Sequence, residues 1–193
     1  MQRVLKPLLF IGLSSPLLWL GWQIWIEIQA PTTALGADPG EAIVHFLGEW
    51  AIRVLLLAFS ISPLRDLLKQ PFIARQRRMV GLFAFAYAAL HLFAYLFFYI
   101  QFEWAALLDD FVERAFITVG IAAFVCLLPM AITSTHGWQR RLKRNWQRLH
   151  LLVYPAVAFA IIHLYWLTKD GFAEVFVYAV WFALLLTHRF LKR

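Results

Sequence analysis

Residues 77–100 have the sequence RRMVGLFAFAYAALHLFAYLFFYI, in which a pair of arginines precedes a long run without a formal charge. Roughly 20 apolar residues suffice to cross the hydrocarbon core of a bilayer as an α-helix. Five other segments have the same character, so the sequence predicts an all-α integral membrane protein, with a single transmembrane domain over residues 1–193. We expect a six-helix transmembrane bundle, with helices at about 7–28, 46–64, 79–100, 114–134, 149–168 and 174–191.

The composition agrees with a membrane protein and argues against several other classes. Apolar residues make up 62% of the chain and charged residues 15%, whereas soluble domains are nearer half apolar and a quarter charged. The single cysteine, Cys126, excludes iron–sulfur clusters and cysteine-based zinc sites, which need several thiolates. The sequence contains no glycine-rich phosphate loop or nucleophile motif. The first apolar stretch is longer than a signal-peptide core, and we interpret it as an uncleaved helix.

The basic residues fall in alternate loops, which predicts the orientation of the bundle. Cytoplasmic loops carry an excess of Lys and Arg, so we expect both termini in the cytoplasm and attribute the net charge of +7 to topology, not to nucleic-acid binding. Fifteen of the 18 basic residues lie on this side: Arg3, Lys6, Arg65, Lys69, Arg75, Arg77, Arg78, Arg140, Arg141, Lys143, Arg144, Arg148, Arg189, Lys192 and Arg193. The other side carries Glu27, Asp38, Glu41, Glu49, Glu103, Asp109, Asp110, Glu113, Asp170 and Glu174, with Arg114 and Lys169.

Two histidines are expected deep in the membrane, where ionisable side chains are costly and usually functional. His91 lies about four helical turns beyond Arg77, and His163 lies about as far beyond Arg148. At a rise of about 1.5 Å per residue, both are roughly 21 Å from the basic surface. Two neutral imidazoles at equal depth suit the axial positions of a haem, and we expect their helices to be adjacent. The alternative is a pair of core histidines, hydrogen-bonded to each other or to the backbone.

The other four histidines are expected nearer the surfaces. His150 is about 20 Å closer to the cytoplasm than His163, a workable spacing for a second cofactor, although on a straight helix the two side chains point about 140° apart. A proline between them could kink the helix. His136 and His188 are interpreted as solvated side chains at the basic surface. His45, near the outer end of its helix, is open to a functional or a structural interpretation.

Five segments resemble a known family of membrane proteins. They are LGADPGEAIVHFLGEWA, ISPLRDLLKQP, RRMVGLFAFAYAALHL, AITST and NWQRLHLLVY. The third and the fifth, which is followed by His163, resemble the ferric-reductase-like membrane domain. All five together, along nearly the whole chain, are similar to the MsrQ family of haem-binding membrane subunits.

The resemblance implies a haem b-containing electron-transfer subunit in a bacterial inner membrane, which is not itself the catalytic subunit. Members of the family pass electrons to a periplasmic molybdenum-cofactor reductase that repairs oxidised methionines, and the two proteins form a heterodimer. The electron donor is attributed to the quinone pool or to a cytoplasmic flavin reductase. FMN is associated with the family alongside haem b.

This chain departs from the wider superfamily at one position. Members with four histidines carry one of them where this chain has Arg77, so the outer pair is intact and the inner pair is reduced to His150, a candidate ligand of a second haem. The basic cluster Arg75, Arg77 and Arg78 could hold a flavin phosphate or dock an acidic donor; alternatively, it only sets the topology.

Two other functions stay open at this point. One is a ferric reductase that delivers electrons directly to iron, and the other is a non-redox membrane anchor or assembly subunit with structural histidines. We expect no catalytic residue in the chain. For the electron-transfer function, we expect electrons to enter near His150 and the basic cluster and to leave from the outer side, where acidic residues would form much of the docking surface for the reductase.

Overall fold

The computed structural model of the protein describes residues 2–168 and 172–191, with side chains from residue 4 onward. Some charges used above for orientation lie outside the described residues: Lys169, Asp170, Lys192, Arg193 and the side chain of Arg3. The described residues form ten α-helices and no strand: α1 (Gln2–Gln29), α2 (Pro39–Leu68), α3 (Pro71–Ala74), α4 (Arg77–Tyr95), α5 (Trp104–Glu113), α6 (Ala115–Ile132), α7 (His136–Leu142), α8 (Arg144–Leu149), α9 (Val153–Leu167) and α10 (Ala173–Leu191).

The six-helix membrane architecture is confirmed. Among the described residues, six helical segments are long and apolar enough to cross a bilayer. They are Val4–Gln29, Pro39–Leu68, Pro71–Ile100, Ala115–Ile132, Arg144–Leu167 and Ala173–Leu191. The protein is therefore a multi-pass membrane protein, whose two ends we call the basic end and the acidic end after the charges of their loops.

Helix α2 begins earlier than the sequence pattern predicts, at Pro39 instead of residue 46. The Asp38 side chain accepts a hydrogen bond from the backbone N–H of Glu41, at 2.9 Å. This N-cap, with proline in the first turn, starts the helix within the loop that follows α1. The added turns include Val44, in the acidic half of the bundle, where the candidate site lies.

The helices pack as two antiparallel pairs, α2 with α4 and α6 with α9. The pairs meet where α4 contacts α6 and where α2 contacts α9, and α10 packs on both α2 and α9. Helix α1 lies at the edge against α2 and α4, with Leu18 72% exposed on its outer face. The core is centred on α2, whose Leu56 and Phe59 side chains are almost completely buried.

The fifth membrane segment is broken, whereas we expected one helix over 149–168. Helix α8 ends at Leu149, a 3₁₀ turn covers His150–Leu152, and α9 begins at Val153. Each residue of a 3₁₀ turn advances about 120° instead of about 100°, so the angle between His150 and His163 falls from about 140° to roughly 80°. Pro155 lies in the first turn of α9, where its missing N–H costs no hydrogen bond.

Candidate functional site

His91 on α4 and His163 on α9 face each other inside the bundle. Their ring centroids are 6.2 Å apart, and the ring planes are inclined by 78°. The backbones of α4 and α9 scarcely approach each other within the described residues, because each helix packs on its own partner, α2 or α6. We expected these helices to be neighbours with a haem between them, and the two imidazoles do extend into the space between the helix pairs, where they face each other.

Each imidazole is oriented by a backbone carbonyl of the helix beside it. The Nδ1 atom of His91 lies 2.9 Å from the carbonyl oxygen of Val44 on α2. The Nδ1 atom of His163 lies 2.7 Å from the carbonyl oxygen of Phe116 on α6. Because a carbonyl oxygen can only accept, each Nδ1–H donates. In a neutral imidazole this leaves Nε2 unprotonated, with its lone pair available to a metal ion.

Glycines on α2 and α6 allow the imidazoles to reach these carbonyls. A Cβ atom added at Gly48 would lie 2.9 Å from Cε1 of His91, and one added at Gly120 would lie 2.7 Å from Nδ1 of His163. Non-bonded carbon atoms prefer separations of about 3.5–4.0 Å. Any larger residue at either position would therefore displace the ring.

The separation of the two rings agrees with the spacing of two imidazoles that share one metal ion. Two imidazoles on opposite sides of one metal ion have ring centres about 6 Å apart, since each metal–nitrogen bond is roughly 2 Å long. The observed separation is 6.2 Å. Both Nδ1 atoms are already hydrogen-bonded, which directs coordination to Nε2. Two structural core histidines would make the same two carbonyl contacts. A measurement of haem binding is therefore needed to distinguish haem ligands from structural histidines.

A cavity of about 250 Å³ lies beside His150, toward the basic end of the bundle. The Nδ1 atom of His150 lies 3.0 Å from the carbonyl oxygen of Trp146, and the two rings overlap with centroids 3.9 Å apart. The structure thus brings His150 together with the basic cluster predicted from the sequence. The arginines that line the cavity are Arg75, Arg77, Arg78 and Arg189.

Arg189 is a cavity residue that the sequence analysis treated only as a topology signal. Its guanidinium donates to the carbonyl oxygen of Phe59 at 2.8 Å and to the hydroxyl of Tyr154 at 3.2 Å. It also lies 3.9 Å from the centroid of the Phe59 ring. Its Nε atom is buried without a hydrogen-bond partner among the described residues. Its position near the C-terminal end of a helix gave no sign that it turns inward.

The remaining histidines do not join either group. The side chain of His45 is 57% exposed, with its Nε2 atom 3.8 Å from Glu41. His136 is exposed at the start of α7. His188 differs from the expectation of a solvated side chain, because its Nδ1 atom is buried and has no hydrogen-bond partner in the described part of the chain.

An ionic network near the acidic end joins α2 to α10. Arg53 donates to the hydroxyl of Tyr178 at 3.0 Å and to a carboxylate oxygen of Glu174 at 2.9 Å. It also pairs with Glu49, one turn earlier on α2, at 2.9 Å. The sequence shows the arginine as an interruption of an apolar helix. Its partners on α10 are far away along the chain and could not be assigned from the pattern.

Comparison with known proteins agrees with this architecture. Residues 47–161 match the family described as "Ferric reductase like transmembrane component". A protein of Xanthomonas campestris pv. campestris (strain 8004), named "Protein-methionine-sulfoxide reductase heme-binding subunit MsrQ", is 47% identical over 188 residues, which cover 97% of this chain and 86% of that protein. A protein of the same name from Caulobacter vibrioides is 42% identical over 181 residues, covering 93% and 83% respectively. The chain therefore belongs to the MsrQ family, within the ferric-reductase-like transmembrane proteins.

Proposed function

We propose that this protein is a haem b-containing transmembrane electron-transfer subunit that serves a periplasmic methionine sulfoxide reductase. The observation that carries the proposal is the facing pair of imidazoles, His91 and His163, whose Nδ1 atoms are both hydrogen-bonded to carbonyls. The names of the similar proteins, which describe heme-binding subunits of such reductases, support it. On this proposal the chain is a subunit of an oxidoreductase system and does not carry the catalytic site.

His91 and His163 would hold the haem iron through their Nε2 atoms, one from each side. The carbonyls of Val44 and Phe116 keep both rings in one tautomer and one orientation. The helices α6 and α9 contain no charged residue, so neither helix places a formal charge beside His163. A bound haem supplies a reversible one-electron change at its iron.

We further propose that the cavity beside His150 holds a second cofactor at the basic end. The candidates are a second haem with His150 as one ligand, and FMN with its phosphate held by the basic cluster. Guanidinium groups form paired, charge-assisted hydrogen bonds with phosphate. The proposal is supported by the position of His150 and of the cluster Arg75, Arg77 and Arg78 around one cavity.

The proposed orientation puts the basic end in the cytoplasm and the acidic end in the periplasm of an inner-membrane protein with both termini in the cytoplasm. The electron donor, the quinone pool or a cytoplasmic flavin reductase, would then act at the basic end. The acceptor, a periplasmic molybdenum-cofactor reductase, would form a heterodimer with the acidic end. Exposed carboxylates at this end, on Glu103, Asp109 and Glu113, offer a docking surface of suitable charge.

Reoxidation of the reduced protein tests this function. Wild-type protein in nanodiscs is reduced with limiting dithionite and mixed with the periplasmic reductase and methionine sulfoxide. We expect continued reoxidation of the haem protein only when both the reductase and methionine sulfoxide are added. With the reductase alone, reoxidation should stop once the reductase is fully reduced. The His45→Ala variant, altered at an exposed histidine, should behave as wild type.

The same preparation separates the other functions that the sequence left open. Equally fast reoxidation by ferric citrate alone, without the reductase, would favour a ferric reductase. Wild-type protein that carries no haem after expression with sufficient haem supply would contradict the proposal and favour a non-redox anchor. Haem and flavin are quantified per chain before each measurement.

A further inference from the structure

The contacts of His91 and His163 are related by a constant offset along the chain. The hydrogen bond from His91 to Val44 spans 47 residues, and so does the bond from His163 to Phe116. The glycine that contacts each ring lies one helical turn after the accepting residue in both cases. The separation along the chain is therefore the same from His91 to His163, from Val44 to Phe116 and from Gly48 to Gly120. We call this separation between corresponding residues the repeat offset.

The repeat offset also relates other buried positions of the two helix pairs. Leu55 on α2 and Leu127 on α6 are both buried, at 4% and 7% exposure. Ala84 on α4 and Ala156 on α9 are also buried, at 1% and 0% exposure. Because α2 packs on α4 as α6 packs on α9, the pairs are structural repeats with the same direction through the membrane. Parallel repeats of this kind are related by an axis along the membrane normal.

The repeat is unequal at the basic end. There, the repeat offset pairs His150 with Arg78, and both residues line the same cavity. The repeat thus provides two imidazoles at one level, but one imidazole and one guanidinium at the other. In the described part of the chain, the matched hydrogen bonds to carbonyls lie at the level of His91 and His163.

We propose that Gly48 and Gly120 are matched positioning residues, one in each repeat, that set the orientation and the donor strength of the two axial histidines. This inference rests on the proposed haem function. A ring displaced by a Cβ atom moves away from its carbonyl, and the Nδ1–H···O bond weakens. That bond increases the basicity of the coordinating nitrogen, so its loss weakens the metal–ligand bond and favours the reduced iron.

The test compares Gly48→Ala and Gly120→Ala with wild type and with Gly12→Ala. Gly12 is a matched control because it lies in a membrane helix where an added Cβ would meet no atom of the described structure within 4 Å. Alanine is the better helix former, so loss of helix is not expected in any variant. Circular dichroism and size-exclusion chromatography check the fold first.

The readouts are the transfer rate of haem to apomyoglobin, the low-spin electron paramagnetic resonance signal and the midpoint potential. We expect about 10- to 100-fold weaker haem retention in both test variants, the range typical of lost outer-shell contacts. Haem that remains should show shifted g-values and a more positive potential. The effect should be larger at Gly120, where the Cβ contact is 2.7 Å against 2.9 Å at Gly48. The control should match wild type.

Several outcomes would overturn the positioning role. Unchanged retention, g-values and potential in both variants would show that the rings tolerate a Cβ atom. Failure of both variants to give helical, monodisperse protein, with a normal Gly12→Ala, would make the two glycines packing residues only. Wild-type protein without haem would instead overturn the proposed function itself, and the wild-type spectrum detects this separately.

Discussion

At the scale of single residues, the two candidate ligands are oriented by backbone carbonyls and not by acidic side chains. Histidines that bind metals commonly donate their second N–H to a carboxylate, a carbonyl or water. A carboxylate at this depth would be costly in the membrane, whereas the carbonyls of Val44 and Phe116 add no charge. The orienting group therefore cannot be removed by a side-chain substitution, which is why the glycines opposite the rings are the informative positions.

Arg189 gives a prediction at the same scale. Its charge-assisted hydrogen bonds to Phe59 and Tyr154 connect α10 to α2 and α9. Arg189→Ala should lower the free energy of unfolding by roughly 1.5–3 kcal/mol, the value of a hydrogen bond to a charged group. The measurement is thermal unfolding in detergent, with the exposed Arg140→Ala as the control. Equal melting temperatures for the two variants would contradict the role assigned to Arg189.

At the scale of elements, helix α5 lies between the acidic ends of α4 and α6 and has three distinct faces. Asp110 holds one face to the bundle by accepting a hydrogen bond from the hydroxyl of Tyr95 on α4, at 2.5 Å, and it also pairs with Arg114, the residue directly after α5, at 3.3 Å. Consecutive residues advance by about 100°, so the exposed residues divide into an apolar and an acidic arc. The apolar arc is Trp104, Leu108 and Val112, which are 66%, 66% and 87% exposed. The acidic arc includes Asp109 and Glu113. This is the pattern of a helix lying in a membrane interface.

Spin labels can test the orientation of α5. In a Cys126→Ala background, which contains no other cysteine, single cysteines are introduced at Leu108 and Val112 and at Asp109 and Glu113. In nanodiscs we expect labels at 108 and 112 to be more accessible to oxygen, which is enriched in lipid. Labels at 109 and 113 should be more accessible to a water-soluble nickel chelate, because one side of the helix would face lipid and the other water. Nickel accessibility at all four positions would show that α5 stands clear of the membrane.

At the scale of the whole molecule, the candidate cofactor groups lie at two levels. His91 and His163 occupy one level, and His150 with the basic cluster occupies the other, nearer the basic end. The helical separation of His150 from His163 is about 20 Å. If both levels carry cofactors, the distance that electrons must cross is divided into two shorter steps.

The entry of electrons at the basic end can be tested by removing its charges. The double variant Arg77→Ala/Arg78→Ala should be reduced by the donor about tenfold more slowly or worse, since one lost charge-assisted contact costs roughly 1.5–3 kcal/mol. His150→Ala removes no charge, and it should slow the same reduction if His150 holds a second cofactor. Reduction by dithionite should be unchanged. Stopped-flow spectroscopy measures both rates. The control Arg140→Ala/Arg148→Ala removes the same charge from exposed positions of the same end. Wild-type rates in the test variants would mean that the cluster only sets the topology.

The sequence predicts the six membrane segments because length and hydropathy decide whether a helix spans a bilayer. It also singles out His91 and His163 as candidate haem ligands, because depth can be counted from the neighbouring arginines. The partners of these histidines could not be predicted, since a backbone carbonyl leaves no mark in the sequence. The repeat could not be predicted either, because most positions that it relates differ in residue type, as Val44 and Phe116 do. The inward turn of Arg189 depends on helix packing that no local pattern encodes.

Near-infrared magnetic circular dichroism of the oxidised protein tests the central claim, ligation of one haem by His91 and His163, most directly. The charge-transfer band of low-spin ferric haem reports the identity of the two axial ligands. We predict a bis-imidazole band in wild type and in the control variants His45→Ala and His136→Ala. The band should be lost in both His91→Ala and His163→Ala, because one missing ligand leaves the iron five-coordinate or bound to another group. An unchanged bis-imidazole band in either of the last two variants, with haem content equal to wild type, would contradict the assignment.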